Sequence, residues 1–597
     1  MVAWSPVSQR IWRQKYRLAD AAGQPLEANI EATWDRVAAA LAVPERGPAP
    51  WAARFRTALT DFRFLPGGRI LAGAGTERDV TLCNCFVMGA IPDDMGGIFA
   101  HLREAALTLQ QGGGIGYDFS TLRPRGAPVK GLGADASGPV SFMAVWDAMC
   151  ATILSAGYRR GAMMGSLACD HPDIEAFIAA KAEPGALTNF NLSVLVSDAF
   201  MAAVDADASW ALRFDGRIHH RLRARALWEK LLRAAYDSAE PGVIFIDRIN
   251  ARNNLWYCET IATTNPCGEQ PLPPYGACVL GSVNLAALVR RPFAADAEFD
   301  FEALETVART GVRMLDNAIE VSRFPLPAQR EEALAKRRIG LGITGLADAL
   351  VMCGLHYGSE AALAEVRRWL VALRRAAYLA STELAAEKGT FPLFERERYL
   401  AGANVGTLEP DIRAAIAHHG MRNGLVTSVA PTGTISLVAD NLSSGLEPIY
   451  ALAFERSVRR PDGTLDTEPL LDHAYRRFRD LYGAGAALPD TFVTAAELCA
   501  EHHLDMQALV QEYVDAAVSK TINLPEDISF ADFCGVYRRA YELGCKGCTV
   551  YRPNPIRGTV FSAAGHSYRR CAKCAAAARV HLEGCDFCTS CGDSRCL

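Results

Sequence analysis

No apolar run in this sequence reaches the roughly 18–20 residues that a bilayer-spanning helix needs. The most apolar stretch of helical character, residues 341–355, is shorter and contains Asp348, so it reads as a core helix. Residues 1–15 lack an apolar segment followed by a small-residue cleavage site, and no secretion signal is read there. A cytoplasmic location with no membrane partner is the expectation. Charge of one sign is scarce as well: 62 Lys and Arg stand against 67 Asp and Glu, for a net charge of −5. That balance provides no basic field for a nucleic-acid partner. No internal repeat is visible, which argues against a solenoid.

Cysteine is what the chain has in quantity, and its placement is uneven. Of 18 cysteines, eight (545, 548, 571, 574, 585, 588, 591 and 596) fall in the last 53 residues. Without a secretion signal, such crowding favours metal binding or thiol chemistry over a disulfide framework. Half of the residues are hydrophobic and 22% are charged, enough for a large buried core. Residues 32–42 and 51–64 carry apolar positions at helical spacing, with a loop at 44–50. Residues 110–125 read as a glycine-rich loop. Residues 359–388 read as a long helix capped by Gly389. Short runs rich in β-branched residues at 242–246, 424–430 and 520–524 flank the helices, and that alternation predicts an α/β fold with partly parallel strands. The expected layout is a helical region at 1–60, an α/β body at 61–550 and a Cys-rich tail at 551–597.

The run Asn265-Pro266-Cys267-Gly268-Glu269 follows a β-capable segment at 259–264. Proline fixes one backbone angle ahead of the cysteine, and glycine permits unusual angles after it. The thiol at this tip has an amide two residues before it and a carboxylate two residues after, a hydrogen-bonding group and a potential general base. Taken alone, a plain turn around a buried cysteine explains the pentapeptide at least as well. Ala430-Pro431-Thr432-Gly433-Thr434-Ile435-Ser436 joins a strand-like segment to an apolar one. A glycine turn with hydroxyls at a helix start can cradle a phosphate through backbone N–H groups, although a capped turn has the same composition. In the tail, Cys571 and Cys574, then Cys585 and Cys588, form two CxxC pairs that could close a tetrahedral zinc site; Cys591 could replace one of them. Cys591 and Cys596 leave two thiols near the terminus, where exchange chemistry needs accessible thiolates.

With Leu82-Cys83-Asn84-Cys85-Phe86-Val87 upstream and Ala277-Cys278-Val279-Leu280-Gly281-Ser282-Val283-Asn284-Leu285 downstream, the chain resembles the ribonucleotide reductases. Residues 112–126, 137–143, 159–167, 171–174, 443–448 and 519–525 are similar to family segments in the same order. The resemblance implies a ten-stranded α/β barrel with a central finger loop. It makes Cys267 the thiyl cysteine, Asn265 and Glu269 its catalytic neighbours, and Cys85 and Cys278 the reducing pair, with Cys83 an additional neighbour. It assigns residues 431–436 to substrate phosphates and Asp93, Arg159, Arg160 and Gly161 to dNTP effector control, with the effector-binding region near 90–170. It also gives Cys591 and Cys596 as a shuttle restored by a thioredoxin-like reductant. Val279 stands where the family has asparagine.

The classes of this family differ in the source of the radical. Thr549-Val550-Tyr551-Arg552 lacks one of the two adjacent tyrosines of the oxygen-dependent class, and no glycyl-radical site ends the chain. The ending at residues 583–596 is similar to the adenosylcobalamin class, whose cofactor carries the radical chemistry. With about eighty residues ahead of Cys85, no N-terminal ATP cone is expected. The implied activity is reduction of ribonucleoside diphosphates by a homodimer, with zinc in the tail. The alternatives are a class I large subunit that needs a radical-generating partner, or a non-catalytic zinc-tailed nucleotide-binding protein.

Overall fold

The computed structural model describes residues 4–129, 133–155, 159–183, 185–459, 465–553, 579–582, 585–588 and 594–596. Its centre is a ten-stranded sheet. In chain order the strands are β1 (Phe64–Pro66), β2 (Cys85–Val87), β3 (Gly114–Asp118), β4 (Met163–Ala168), β5 (Phe190–Val196), β6 (Gly242–Phe245), β7 (Ala277–Asn284), β8 (Ile339–Thr344), β9 (Thr521–Asn523) and β10 (Gly547–Tyr551). Strands β2 to β6 pair in parallel and in sequence order. A second parallel set contains β7 with β8, and β9 with β10. The two sets meet through antiparallel pairs, β7 with β2 and β10 with β6. All eight residues of β7 and all six of β8 are buried, as expected for strands covered on both faces.

The ladder is open between β8 and β9. Residues 425–429 and 516–519 span that gap by single parallel bridges, Leu341 with Thr427 and Val429 with Val518. Regular pairing stops here because a side chain takes the amides: Asp515 Oδ2 accepts from Val426 N–H at 2.7 Å and from Thr427 N–H at 3.2 Å. The expected ten-stranded α/β body is therefore present, with no continuous ladder closing it.

Two sequence expectations change. Residues 341–355 are not one helix: Ile339–Thr344 is a strand, and Gly345, at φ 69°, turns the chain into the helix Leu346–Met352. Within the glycine-rich segment 110–125, residues Gly114–Asp118 form β3 rather than loop.

Helices wrap the sheet. The N-terminal region holds α1 (Pro6–Lys15), α2 (Ile30–Ala42) and α3 (Pro48–Leu59), the first two capped by Ser5 and Asn29 side chains. Further along are α4 (Met95–Gln110), α5 (Phe301–Val321), α6 (Glu360–Lys388) and the short α7 (Gly433–Val438). Gly389 caps α6 at φ 86°. Buried Glu45 ties the N-terminal region to the body through Arg313 of α5 and Lys388 of α6, each at 2.7 Å. No helix among the described residues is long and apolar enough to cross a membrane.

Candidate active site

The pentapeptide around Cys267 is the tip of a hairpin whose arms are Thr263–Thr264 and Pro271–Leu272. The tip is locked by its own amide: Asn265 N–H donates to Gln270 O at 3.1 Å, and Gln270 N–H returns a bond to Asn265 Oδ1 at 2.9 Å. Gly268, at φ 81°, donates to Asn265 O at 3.1 Å and closes the turn. The hairpin runs against the inner side of the sheet. A Cβ on Gly116 of β3 would stand 1.9 Å from Thr264 O, so glycine there is what admits the loop. On the other side, Ala517 N–H and Ser428 Oγ donate to Glu269 O at 3.0 and 2.9 Å.

Cys85 on β2 and Cys278 on β7 are register partners. Directly opposed antiparallel residues have Cα atoms about 4.5–5.5 Å apart, inside the range a disulfide requires. Both thiols are free and buried. Cys85 S–H faces Glu269 Oε1 at 3.4 Å, and Asn265 Nδ2 donates to Cys85 Sγ at 3.1 Å. Burial pushes both thiols well above the ordinary range, and the Glu269 charge raises Cys85 further. Glu269 is itself held above the usual carboxylate value by burial, and its Oε2 has no hydrogen-bond partner. Cys83 turns toward Thr81 and Ser322, its thiol 4.0 Å from Ser322 Oγ, and burial lifts it to about 12.

Cys267 is half-buried, on the wall of a cavity of about 220 Å³. Asn191, Ser443, Ser444, Glu447, Lys520, Tyr450 and Tyr551 also line it. Lys520 Nζ pairs with Glu447 and lies 2.9 Å from His503 Nδ1. The segments carrying Lys520 and Glu447 are similar to family ones, and the resemblance implies no role for either residue. Val550 and Tyr551 both line the cavity, Val550 being otherwise buried.

Pro431 to Ser436 lead into and begin α7. Thr432, at φ 59°, forms a triangle of hydroxyls with Ser436 and Thr344 of β8, each edge 2.9 Å, and accepts from Gly445 N–H at 2.8 Å. Gly433, Thr434 and Ile435 follow in the first turn of α7. Residues 437 and 441–444, just beyond it, reach the wall of the Cys267 cavity.

The remaining candidates lie elsewhere. Asp93 precedes α4 and is occupied by Arg123, whose backbone N–H and Nε donate to its carboxylate at 3.1 and 2.7 Å. Arg159 and Arg160 form a two-residue strand with residues 154–155, their side chains outside the described set; Gly161 packs under Leu109 and Cys150. Cys571, Cys574 and Cys591 lie outside the described residues. For Cys585, Cys588 and Cys596 only the backbone is described, in a three-stranded sheet that puts Cys585 opposite Cys596.

Two family models match: "Ribonucleotide reductase, all-alpha domain" at residues 4–79 and "Ribonucleotide reductase, barrel domain" at residues 83–551. The chain belongs to the ribonucleotide reductase family. A vitamin B12-dependent ribonucleoside-diphosphate reductase of Mycobacterium tuberculosis (strain CDC 1551 / Oshkosh) is 41% identical over 93% of this chain and 80% of its own length. A protein of the same name from Thermoplasma acidophilum is 37% identical over 84% of this chain and 65% of its own. A vitamin B12-dependent ribonucleotide reductase of Streptomyces clavuligerus is 28% identical over 82% and 58%.

Proposed function

We propose that this family member reduces ribonucleoside diphosphates to 2′-deoxyribonucleotides by a thiyl-radical mechanism started by adenosylcobalamin. The observation that carries the reading is the assembly at the finger loop: Cys267 on the cavity wall, with Asn265, Glu269, Cys85 and Cys278 beneath it. The cavity also offers a polar group to such a cofactor. Gln507, on its wall, has a buried Oε1 without a partner, an acceptor suited to a carboxamide N–H. Gln507, Tyr450 and Tyr551 are the residues that would hold the cobalamin. Bound there, adenosylcobalamin would supply the one-electron chemistry for which Cys267 presents its thiol.

The chain's own groups account for the remaining steps. The Cys267 thiyl takes the ribose 3′-hydrogen. Glu269, a stronger base for being buried, accepts the 3′-hydroxyl proton, and Asn265 orients the hydroxyls. The 2′-hydroxyl leaves as water, protonated from Cys85 and Cys278, which end as a disulfide. Residues 431–436 take the substrate phosphates. Asp93, Arg159, Arg160 and Gly161 read a dNTP effector. Cys591 and Cys596 return electrons from a thioredoxin-like donor, Cys571, Cys574, Cys585 and Cys588 bind zinc, and the active form is a homodimer.

The test is an assay of the purified chain with adenosylcobalamin, dithiothreitol and a ribonucleoside diphosphate. Formation of 2′-deoxynucleotide without a second protein is expected. Turnover only after adding a radical-generating subunit would overturn the cobalamin reading.

A further inference from the structure

Arg338 stands immediately before β8, where Ile339 is the register partner of Val279, so it flanks Cys278 on the preceding rung. Side chains alternate along a strand, which puts residues 338, 340 and 342 on one face. That face is the one toward the finger loop: a Cβ on Gly340 would meet Leu280 Cδ2 at 2.5 Å and Gln270 Nε2 at 2.8 Å, and Leu280 clusters with Cys278 and Cys85. Arg338 is 2% exposed. Its guanidinium pairs with Glu259 and, at 3.0 Å, with Glu332, while its Nε has no hydrogen-bond partner. Lys336 completes the group, 2.9 Å from Glu259.

The two thiols of the pair therefore have different electrostatic neighbours. Around Cys278 the charged and titratable groups are Cys83, Arg338 and Glu269, with Cys85 opposite; Arg338 is the cation among them. Cys85 lies one strand further from Arg338, across the strand of Cys278, and its leading charged and titratable neighbours are Glu269, Cys278 and Cys267. Cys85 has the neutral Asn265 amide as a donor. A guanidinium nearby favours a thiolate through its charge, whereas the Glu269 carboxyl in contact with Cys85 disfavours one. In thiol–disulfide exchange the sulfur that leaves faster is the one better stabilised as thiolate.

We propose that Arg338 is a positioning residue for regeneration, making Cys278 the leaving sulfur and directing an incoming thiolate to Cys85. The proposal rests on Cys85 and Cys278 being the reducing pair. In the first step the incoming thiolate bonds to Cys85 Sγ. The Cys85–Cys278 bond breaks, and Cys278 departs with the electron pair beside the guanidinium. A second thiolate then attacks the reagent sulfur of the mixed disulfide and releases Cys85, and both thiolates take protons from solvent. Two external thiols are oxidised and the pair gains two electrons.

The full chain would be oxidised with diamide and the Cys85–Cys278 disulfide identified by mass spectrometry. It would then be exposed briefly to 2-mercaptoethanol, quenched in acid and mapped for the mixed disulfide. Wild type should carry the adduct on Cys85 in about threefold excess, the rate ratio for one pKa unit between leaving thiols at a Brønsted coefficient near ~0.5. Arg338→Gln should slow reduction by a similar factor and bring the two adducts toward parity, and Arg338→Lys should restore the preference. An adduct mainly on Cys278 in wild type, or an unchanged ratio in Arg338→Gln, would overturn the proposal while leaving the pair intact. Failure to form the disulfide would remove the pair reading and the proposal with it. If Arg338→Gln does not fold, wild type and Arg338→Lys decide: preference for Cys85 in both supports the proposal, and its absence in either counts against it.

Discussion

Cys267 and the pair Cys85/Cys278 lie on two sides of one hairpin tip, in contrasting surroundings. Cys267 is half-buried on the wall of a cavity of mixed polar and apolar lining. Cys85 and Cys278 are 4% and 1% exposed and sit against Leu280 and Ala430, outside that cavity's lining. The difference matches the two jobs a radical reductase needs from sulfur. A thiol that loses a hydrogen atom to a bound cofactor must be reachable, whereas thiols that supply protons must stay protonated until used. Burial lifts both thiols further above neutral pH, so the pair stays protonated. Glu269 stands between the two environments, touching Cys85 and sharing the loop with Cys267.

The contrast breaks most completely at Cys267. Cys267→Ser should abolish deoxynucleotide formation to the detection limit while nucleotide binding by equilibrium dialysis stays near wild type. Residual turnover would mean that the radical is carried elsewhere. Next in size is Glu269→Gln, expected to lower kcat by about 10²–10⁴-fold, the range for a lost general base. Its pH behaviour has a definite sign. Glu269 is raised by burial, so the wild-type rate should fall as pH drops through that raised value, and the Gln variant should lack this limb. For stability, a carboxyl whose folded pKa is raised contributes fully below its unfolded value of about 4.3 and loses that contribution as pH rises through the folded one. Glu269→Gln should therefore gain thermal stability relative to wild type at pH 8 and little at pH 4. Equal Tm differences at both would show that burial does not hold the Glu269 carboxyl above its ordinary value.

Gly116→Ala sharpens the comparison from the backbone side. The added Cβ would lie 1.9 Å from Thr264 O, which cannot yield without moving the hairpin. Overpacking of this kind costs about 1–3 kcal/mol, so urea unfolding should show a lower midpoint. Activity should fall by more than stability alone explains, because the tip carrying Cys267 shifts relative to Cys85.

How much of this was legible in the sequence follows from where each contact lies along the chain. Asn265 to Glu269 are contiguous, so the tip could be read locally. Cys85 and Cys278 needed the resemblance, since only the β2–β7 pairing brings them together. β3 was hidden because its glycines, which admit the hairpin, have a loop's composition. Asp348 made 341–355 look like a charged core helix, whereas the structure satisfies it with Ser443 and Ala474 N–H groups at 2.7 and 2.9 Å. Arg338 ends the run Lys336-Arg337-Arg338, and nothing in that charged run signals that all three residues are buried.

The smallest effect tests whether the substrate side is also held from afar. Ser8 Oγ in α1 donates to Leu437 O at 2.6 Å, and Trp4 Nε1 donates to Val438 O at 2.6 Å, across more than 400 residues of sequence. These bonds cap the last carbonyls of α7, the helix that follows the proposed phosphate turn. A buried hydrogen bond of this kind is worth about 0.5–1.5 kcal/mol, so Ser8→Ala should lower stability by no more than that. If α1 positions the phosphate turn, the same substitution should raise KM for the diphosphate several-fold with kcat nearly unchanged, since the finger loop and its thiols are untouched. A loss of kcat with KM constant would instead tie α1 to the Cys267 side of the comparison, and the two regions would have to be treated as one mechanical unit.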